Sequence, residues 1–346
     1  MQFAEKQGLF FSRSIIFNQN LNILEKQDVT NQWLAVVNPN AGVKKCERDW
    51  KKISLLLKKH NIDFYPVFTE KRDHGIALTK EHIEKGYRKI ISIGGDGTLN
   101  EVVNGVFRQK ATDTSSITIA VISVGTGNDW GRTFFIPSDY EKSILIIKKE
   151  ETFIQDVGMV CFSKDETTRY RYFVNMAGLG FDGLVAQKTN ADKDLGKANA
   201  LVYFKNIFTS LFSFQSVPTR IVVDETEMKH HIFSMGVGIG QYNGGGMKQA
   251  PGAIPDDGLF ELTLIKDMSK WSVIANVNRL YNGTIGKHEK VEMLQGRHII
   301  IEPKTPVLME ADGESLGQSP FVFTMIPKSL RVVVNREKLL SNKKQQ

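Results

Sequence analysis

The sequence predicts an α/β N-terminal domain with a mostly parallel sheet, followed by a second domain that is β-rich and sandwich-like. Two features predict it. Up to about residue 150, short β-branched runs alternate with stretches of helical spacing. Beyond that point short strand-like runs dominate, separated by turn residues as in a sandwich or barrel. A chain of 346 residues, 41% hydrophobic and 24% charged, is long enough for two cores. The expected division is an unassigned extension over 1–31, the α/β domain over 32–150 completed by 327–346, and the β-rich domain over 151–326.

Residues 1–31 show no clear periodicity. Trp33 to Val37 reads as a buried strand, halted by Asn38-Pro39-Asn40-Ala41-Gly42. Over 46–60, Trp50, Ile53, Leu56 and Leu57 fall near helical spacing with lysines opposite. Phe64 to Phe68 is a second strand, Gly75 to Gly86 a second helix, Ile90 to Ile93 a third strand, Leu99 to Phe107 a third helix and Ile117 to Val124 a fourth strand. Such alternation implies right-handed crossovers, with ligands outside the carboxyl ends of the strands. Four polar loops follow those ends directly: Asn38 to Gly42, Thr69 to Asp73, Gly94 to Thr98 and Gly125 to Asp129.

In the second half, strands are expected at Phe153–Val160, Arg171–Met176, Thr219–Val223, Ile232–Ile239, Leu259–Ile265, His298–Ile301, Pro306–Glu310 and Phe321–Ile326. Ser329 to Val334 would return to the first domain. Between them Leu201–Val217 is dense in large apolar groups, among them Phe204, Phe208, Leu211 and Phe212. It reads as a core or cleft wall, or as a greasy surface that meets acyl chains or a bilayer.

The richest stretch runs from Ile90 to Glu101. A strand enters Gly94-Gly95-Asp96-Gly97, and Thr98 with Glu101 three residues on has capping-box spacing. Glycines let the backbone approach a bulky anion, and a helix N-terminus offers unpaired N–H groups with partial positive charge. This is a phosphate cradle, or else a plain tight turn. Asp96 favours the cradle, because a carboxylate beside phosphates needs a cation between them, and Mg²⁺ suits.

Other segments are less specific. Asn243-Gly244-Gly245-Gly246-Met247, then Ile254-Pro255-Asp256-Asp257-Gly258-Leu259, offers carboxylates and bared carbonyls to a hard cation, or forms a turn entering a strand. Glu310-Ala311-Asp312-Gly313-Glu314 sets acids in a tight turn: solvated hairpin acids by default, a proton acceptor if a phosphoryl group is transferred nearby. Gly178 to Gly183 matches GxGxxG without a clear βαβ frame and reads as a glycine turn.

Several classes are excluded. There is no GxxxxGK[ST] or HExxH, so P-loop and zinc-protease readings fall away. Cys46 and Cys161 make neither a disulfide framework nor a metal-ligand spacing, which points to a reducing cytoplasm. No apolar run approaches the roughly 18 residues of a membrane span, and the N-terminus has no convincing signal-peptide core. The formal charge of +7 suits an anionic partner: nucleotide phosphates, lipid head groups or nucleic acid.

Taken in order, Asn38 to Gly42, Gly94 to Glu101, Gly125-Thr126-Gly127-Asn128-Asp129, Asp156-Val157-Gly158, Gly178 to Gly183, Asn243 to Met247, Asp257-Gly258 and Asp312-Gly313-Glu314 resemble the diacylglycerol kinase catalytic-domain family, specifically its bacterial soluble lipid kinases. The resemblance covers roughly residues 33–335. It implies two domains with a nucleotide cleft between them, and an ATP-dependent kinase of a lipid hydroxyl such as that of diacylglycerol. By the same resemblance ATP would contact Asn38, Pro39, Asn40, Ala41, Gly42, Thr69, Gly94, Gly95, Asp96, Gly97, Thr98, Leu99, Asn100 and Thr126. Asp96, Asp129, Asp156 and Asp312 would organise the catalytic Mg²⁺ and its waters. Glu314 would accept the hydroxyl proton, with Asp312 its competitor. A second, structural Mg²⁺ would take Asp257 with the carbonyls of Ile254 and Leu259. The lipid would be met at a membrane surface, from the cytoplasm or peripherally at the inner membrane face. No nucleic acid is expected, and a homodimer stays open. Trp130 stands where the family more often has phenylalanine, and the first 30 residues match nothing in it.

Two other functions compete. A kinase of a soluble substrate, chiefly an NAD kinase, shares the Gly-Gly-Asp-Gly loop; the apolar 201–217 segment and Gly-Thr-Gly-Asn-Asp argue against it. A non-catalytic sensor of lipid or nucleotide would have no need for the full set of acids.

Overall fold

The computed structural model describes residues 28–125, 127–195 and 200–343. Most of the expected extension therefore lies outside the described residues. In the first half, β1 (Trp33–Val37), β2 (Phe64–Phe68), β3 (Lys89–Gly94) and β4 (Thr118–Ser123) stand in the order β2-β1-β3-β4, each neighbour parallel. They alternate with α1 (Ala41–Lys59), α2 (His74–Glu84) and α3 (Asp96–Arg108); the short α4 (Asp129–Thr133) and α5 (Tyr140–Lys149) follow.

Side-chain period two sorts the strands onto two covered faces. Leu34, Val36, Ile90, Ile119 and Val121 pack against Ile83 of α2 and Leu99, Val102 and Val106 of α3. Ala35, Val37, Ile91, Ile93 and Ile122 pack against Cys46, Ile53 and Leu57 of α1 and Ile144 and Ile147 of α5. Both faces being dry, the inner strands β1, β3 and β4 are largely apolar runs without alternation. Gly42, Val43 and Lys44 adopt left-handed backbone angles, so regular helix in α1 begins only beyond them. Gly42 is forced: a Cβ there would stand 2.5 Å from the Val124 carbonyl oxygen.

The second half comprises β5 (Thr152–Lys164), β6 (Thr167–Phe173), β7 (Met176–Gly180), α6 (Phe181–Asp194), α7 (Ala200–Ser213), β8 (Val217–Val223), β9 (Thr226–Gly238), β10 (Phe260–Lys266), α8 (Lys270–Tyr281), β11 (Val291–Gly296), β12 (His298–Pro303), β13 (Leu308–Ala311), β14 (Glu314–Val333) and α9 (Arg336–Lys343). Its core gathers Phe173, Phe260, Phe321 and Phe323, with the first two rings stacked at 5.8 Å.

The two halves share one 14-stranded sheet rather than two separate ones. The seam is β14, a 20-residue strand that pairs antiparallel with β5, β12 and β13, then parallel with β4 through Arg331 and Val332. The strand expected at 321–326 and the returning segment expected at 329–334 are this one element, with a register shift between Ile326 and Leu330 and positive φ at Lys328. The single strand expected over Arg171–Met176 is instead two, β6 and β7. The chain breaks there because Val174, Asn175 and Met176 all turn their N–H groups toward the Asp312 carboxylate.

Candidate active site

The carboxyl ends of β1 to β4 bring four loops onto one rim. Asn38 N–H donates to the Ile93 carbonyl at 3.0 Å, Thr69 N–H to Val37 at 2.9 Å, and Val124 N–H to Gly94 at 2.7 Å. The Asn38 amide donates to Thr98 Oγ1 at 3.0 Å, and Asn40 N–H donates to Asn38 Oδ1 at 3.1 Å. Gly95 and Gly125 meet through bare backbone: a Cβ on Gly125 would stand 2.7 Å from Gly95 Cα. Asn38, Pro39, Asn40, Ala41, Gly42, Thr69, Gly94, Gly95, Gly97 and Thr98 thus share the rim.

Two residues expected to touch nucleotide turn their side chains away from that set. Leu99 is a core side chain, 2% exposed, on the buried face of α3. The Asn100 amide, also buried, donates to the Tyr172 carbonyl at 3.0 Å and to Asp312 Oδ2 at 2.9 Å, so it joins the two domains. Thr126 lies outside the described residues.

Asp96 opens α3 at the centre of the rim. Its two oxygens accept the Asp129 and Trp130 N–H groups, each at 3.3 Å. Asp129 opens α4; its Oδ2 accepts the Gly245 N–H at 2.7 Å, and its Oδ1 lies 3.3 Å from Arg132 Nε. Gly127 is bare between the two acids: a Cβ there would be 3.1 Å from Asp96 Oδ2 and 3.4 Å from Asp129 Oδ2. Burial, and then the charge of Asp129, push the Asp96 carboxyl up to about 7; burial also raises Asp129.

A cation would relieve this repulsion. Mg²⁺ uses oxygen ligands, keeps several waters and often takes only one or two carboxylates beside substrate phosphates. The acid pair flanking bare Gly127 fits that mode. Among the described residues no group of three or more His, Cys, Asp or Glu side chains forms a direct cage.

Asp312 reaches the same place from the other half of the chain, at positive φ in the turn after β13. Its oxygens take four donors: Asn175 N–H at 3.0 Å, Met176 N–H at 3.2 Å, Val174 N–H at 3.0 Å and the Asn100 amide. Burial outweighs these bonds and raises the carboxyl. Two residues on, Glu314 is part-exposed at the mouth of α3, its Oε2 3.8 Å from Arg72 Nε.

Asp156, expected beside the catalytic cation, belongs elsewhere. Its oxygens accept the Gly258 N–H at 2.7 Å and the Lys328 N–H at 2.6 Å, while its own N–H donates to the Pro255 carbonyl. It is therefore bound to the turn that holds Ile254, Asp257 and Leu259, where Asp257 Oδ1 accepts the Leu259 N–H at 2.9 Å.

Two further acids, given no separate role by the sequence, are buried beside this set. Glu310 is buried and its Oε1 makes no hydrogen bond; burial, then Asp182 and Asp312, raise it well above the carboxylate range. Asp182 lies inside the glycine motif read as a turn and accepts from Ser234 Oγ at 2.8 Å and Gln249 Nε2 at 2.9 Å. Strand period two was the available signal for Glu310, since it shares a face with Asp312.

Residues 32–160 match the diacylglycerol kinase catalytic domain, and residues 175–334 match the YegS C-terminal NAD kinase beta sandwich-like domain. A diacylglycerol kinase of Staphylococcus aureus is 28% identical over 313 residues, which cover 89% of this chain and 95% of that one. A crystal structure titled as a diacylglycerol kinase of Bacillus anthracis superposes with a TM-score of 0.65 at 21% identity, covering 89% of this chain and 98% of that one. Yeast NADH kinase shares the fold more distantly, with a TM-score of 0.50 at 11% identity over 91% of this chain and 86% of that one. With both halves matched in chain order, the chain belongs to the bacterial diacylglycerol kinase-like family.

Proposed function

We propose that the chain transfers the terminal phosphoryl group of ATP to the hydroxyl of a lipid, diacylglycerol being the first candidate and phosphatidic acid its product. The observation that carries this is the meeting of Asp96, Asp129 and Asp312, from three separate elements, around the N-terminus of α3 with Glu314 at its mouth. The glycine rim and the α3 N–H groups bind the nucleotide phosphates. Glu314 takes the proton from the lipid hydroxyl as that oxygen bonds to the terminal phosphorus and the bond to the ADP oxygen breaks. Asp312, with four donors on its carboxylate, holds the turn in place and is the weaker candidate for the base. Asp96 and Asp129 would hold Mg²⁺ through waters, and the ion would neutralise charge on the transferring group. A second cation at Asp257 and the Ile254 and Leu259 carbonyls belongs to the same proposal, with a structural role.

The lipid acceptor finds support on the surface. Among the described residues no helix is long and apolar enough to cross a membrane. Yet α7 and α8 expose Phe208, Phe212, Trp271 and Tyr281, a composition suited to a head-group layer. Radiolabelled ATP with Mg²⁺ and diacylglycerol micelles tests the proposal, with NAD as a parallel acceptor. Label in the lipid fraction is the expected result; label in NADP alone, or ATP binding with no transfer to any lipid alcohol, rejects it.

A further inference from the structure

Arg171 projects from β6 and is only 7% exposed. Its Nε–H donates to Asn100 Oδ1 at 2.7 Å, and its Nη1–H donates to Asp73 Oδ1 at 2.7 Å. Asn100 carries the link onward to Asp312 Oδ2 at 2.9 Å. Asp73 sits in the loop between β2 and α2. That loop is also gripped from α3, where the Glu101 carboxylate accepts the Asp73 N–H at 2.8 Å and the Gly75 N–H at 2.7 Å. Arg72, the neighbouring residue, is the one beside Glu314.

One guanidinium therefore fixes both flanks of Glu314. On one side is the loop that carries Arg72, on the other the turn from Asp312 to Glu314. The planar fork suits this task, since two N–H vectors at a fixed angle reach an amide oxygen and a carboxylate oxygen on different elements. A buried charge with its partners in place is tolerated; the same charge without them is not.

We propose that Arg171 is a positioning residue: it clamps the 69–75 loop to the Asp312 turn and so holds Glu314 over the mouth of α3 during phosphoryl transfer. The proposal rests on Glu314 being the proton acceptor.

The test compares Arg171→Met, Asp73→Asn, Arg72→Gln and the Arg171→Met/Arg72→Gln double variant in the full chain, with Mg²⁺, ATP and diacylglycerol micelles. For Arg171→Met, kcat should fall between about ten- and a hundredfold. The KM for ATP should stay within about twofold, because Thr69, the rim residue of the clamped loop, is held independently by its N–H bond to the Val37 carbonyl. Asp73→Asn should lose less in the same direction. Adding Arg72→Gln to Arg171→Met should cost nothing more, since both act through one loop. Losses that multiply overturn the proposal, as does a lowered melting temperature with unchanged kcat. Should Arg171→Met fail to fold, Asp73→Asn decides from the exposed side of the clamp, and unchanged kcat there also overturns it. Glu314→Gln separates the two levels. If it is active, the base assignment falls; if it is inactive while the clamp variants are fully active, only the clamp falls.

Discussion

The space that a methyl group on Gly97 would need is already filled by the carboxylate of Glu314, although the two residues come from opposite halves of the chain. Gly97 lies in the first turn of α3, where alanine is favoured over glycine by about 1 kcal/mol. Gly97→Ala should therefore fold at least as well as the natural chain while pushing the proposed base off its position. Turnover is expected to fall by about a hundredfold, measured as kcat beside a thermal melt. Full activity in this variant would mean that Glu314 has no fixed place in the reaction.

A second prediction concerns pH. Asp96 is raised in the fold from 3.8 to about 7, chiefly by burial and then by Asp129. For an acid shifted upward, the penalty is absent below the unfolded value and grows as pH rises, reaching its full size above the folded value. Metal-free protein should thus lose stability between about pH 4 and pH 7 from this group. Asp96→Asn should remove the loss, a gain of about 1–2 kcal/mol at pH 8 once partial solvent exposure is allowed for. Denaturant midpoints at pH 5 and pH 8 read it directly. Mg²⁺ should stabilise the natural chain at pH 8 and leave Asp96→Asn unmoved.

How much of this was legible follows from the range of each interaction. Strand runs such as Trp33 to Val37 and the glycine turn around Asp96 are local patterns, and their places on the sheet edge follow from α/β topology. The partners of Asp156 are not local: the turn at 254–259 lies far along the chain, and only tertiary contact shows that it, rather than Asp96, receives that carboxylate. Asn100 and Leu99 follow the same logic. Both stand in a loop-to-helix motif, but helical rotation turns them inward, to Asp312 and to the core. The fusion of the halves through β14 was hidden because an irregularity near Lys328 interrupts its pattern. Helix α8 was hidden because apolar residues stand on both of its faces, Val273 and Leu280 packed inward and Trp271, Ile274, Val277 and Tyr281 exposed, which blurs the usual amphipathic signal.

Trp130 is a departure from the family pattern that the fold explains. Its indole Nε1–H donates to Gln155 Oε1 at 3.0 Å, and both side chains are fully buried. Trp130→Phe would leave that acceptor without its donor and open a small void against Phe134, 4.7 Å away between ring centroids. The expected cost is about 2 kcal/mol, with KM for ATP unchanged. Gln155→Leu in the same chain should recover part of it, because removing both polar partners is cheaper than orphaning one. A double variant less stable than the sum of the single changes would contradict this account.

The last prediction tests the proposed lipid-facing surface. Helices α7 and α8 contain no Asp or Glu, only Lys205, Lys270 and Arg279. Lys270 Nζ donates to the Phe214 carbonyl, tying the end of one helix to the start of the other. Beneath them Leu211, Phe214, Val273 and Leu280 pack with Phe233, Ile265 and Ile285. Outside, Phe208 is 58%, Phe212 49% and Trp271 73% exposed, with the two phenylalanine rings 4.9 Å apart. Burying an aromatic side chain gains about 1.5–3 kcal/mol when complete, so half-insertion of two rings is worth at least tenfold in partition. Phe208→Glu with Trp271→Glu should therefore cut binding to phosphatidylglycerol vesicles more than about tenfold and repel the anionic surface besides. Sedimentation with anionic and with zwitterionic vesicles measures it, while turnover on a short-chain diacylglycerol in solution should hold, since neither residue is among the hydrogen-bond or charge partners found for Asp96 and Glu314. Undiminished vesicle binding would place the membrane contact on another face.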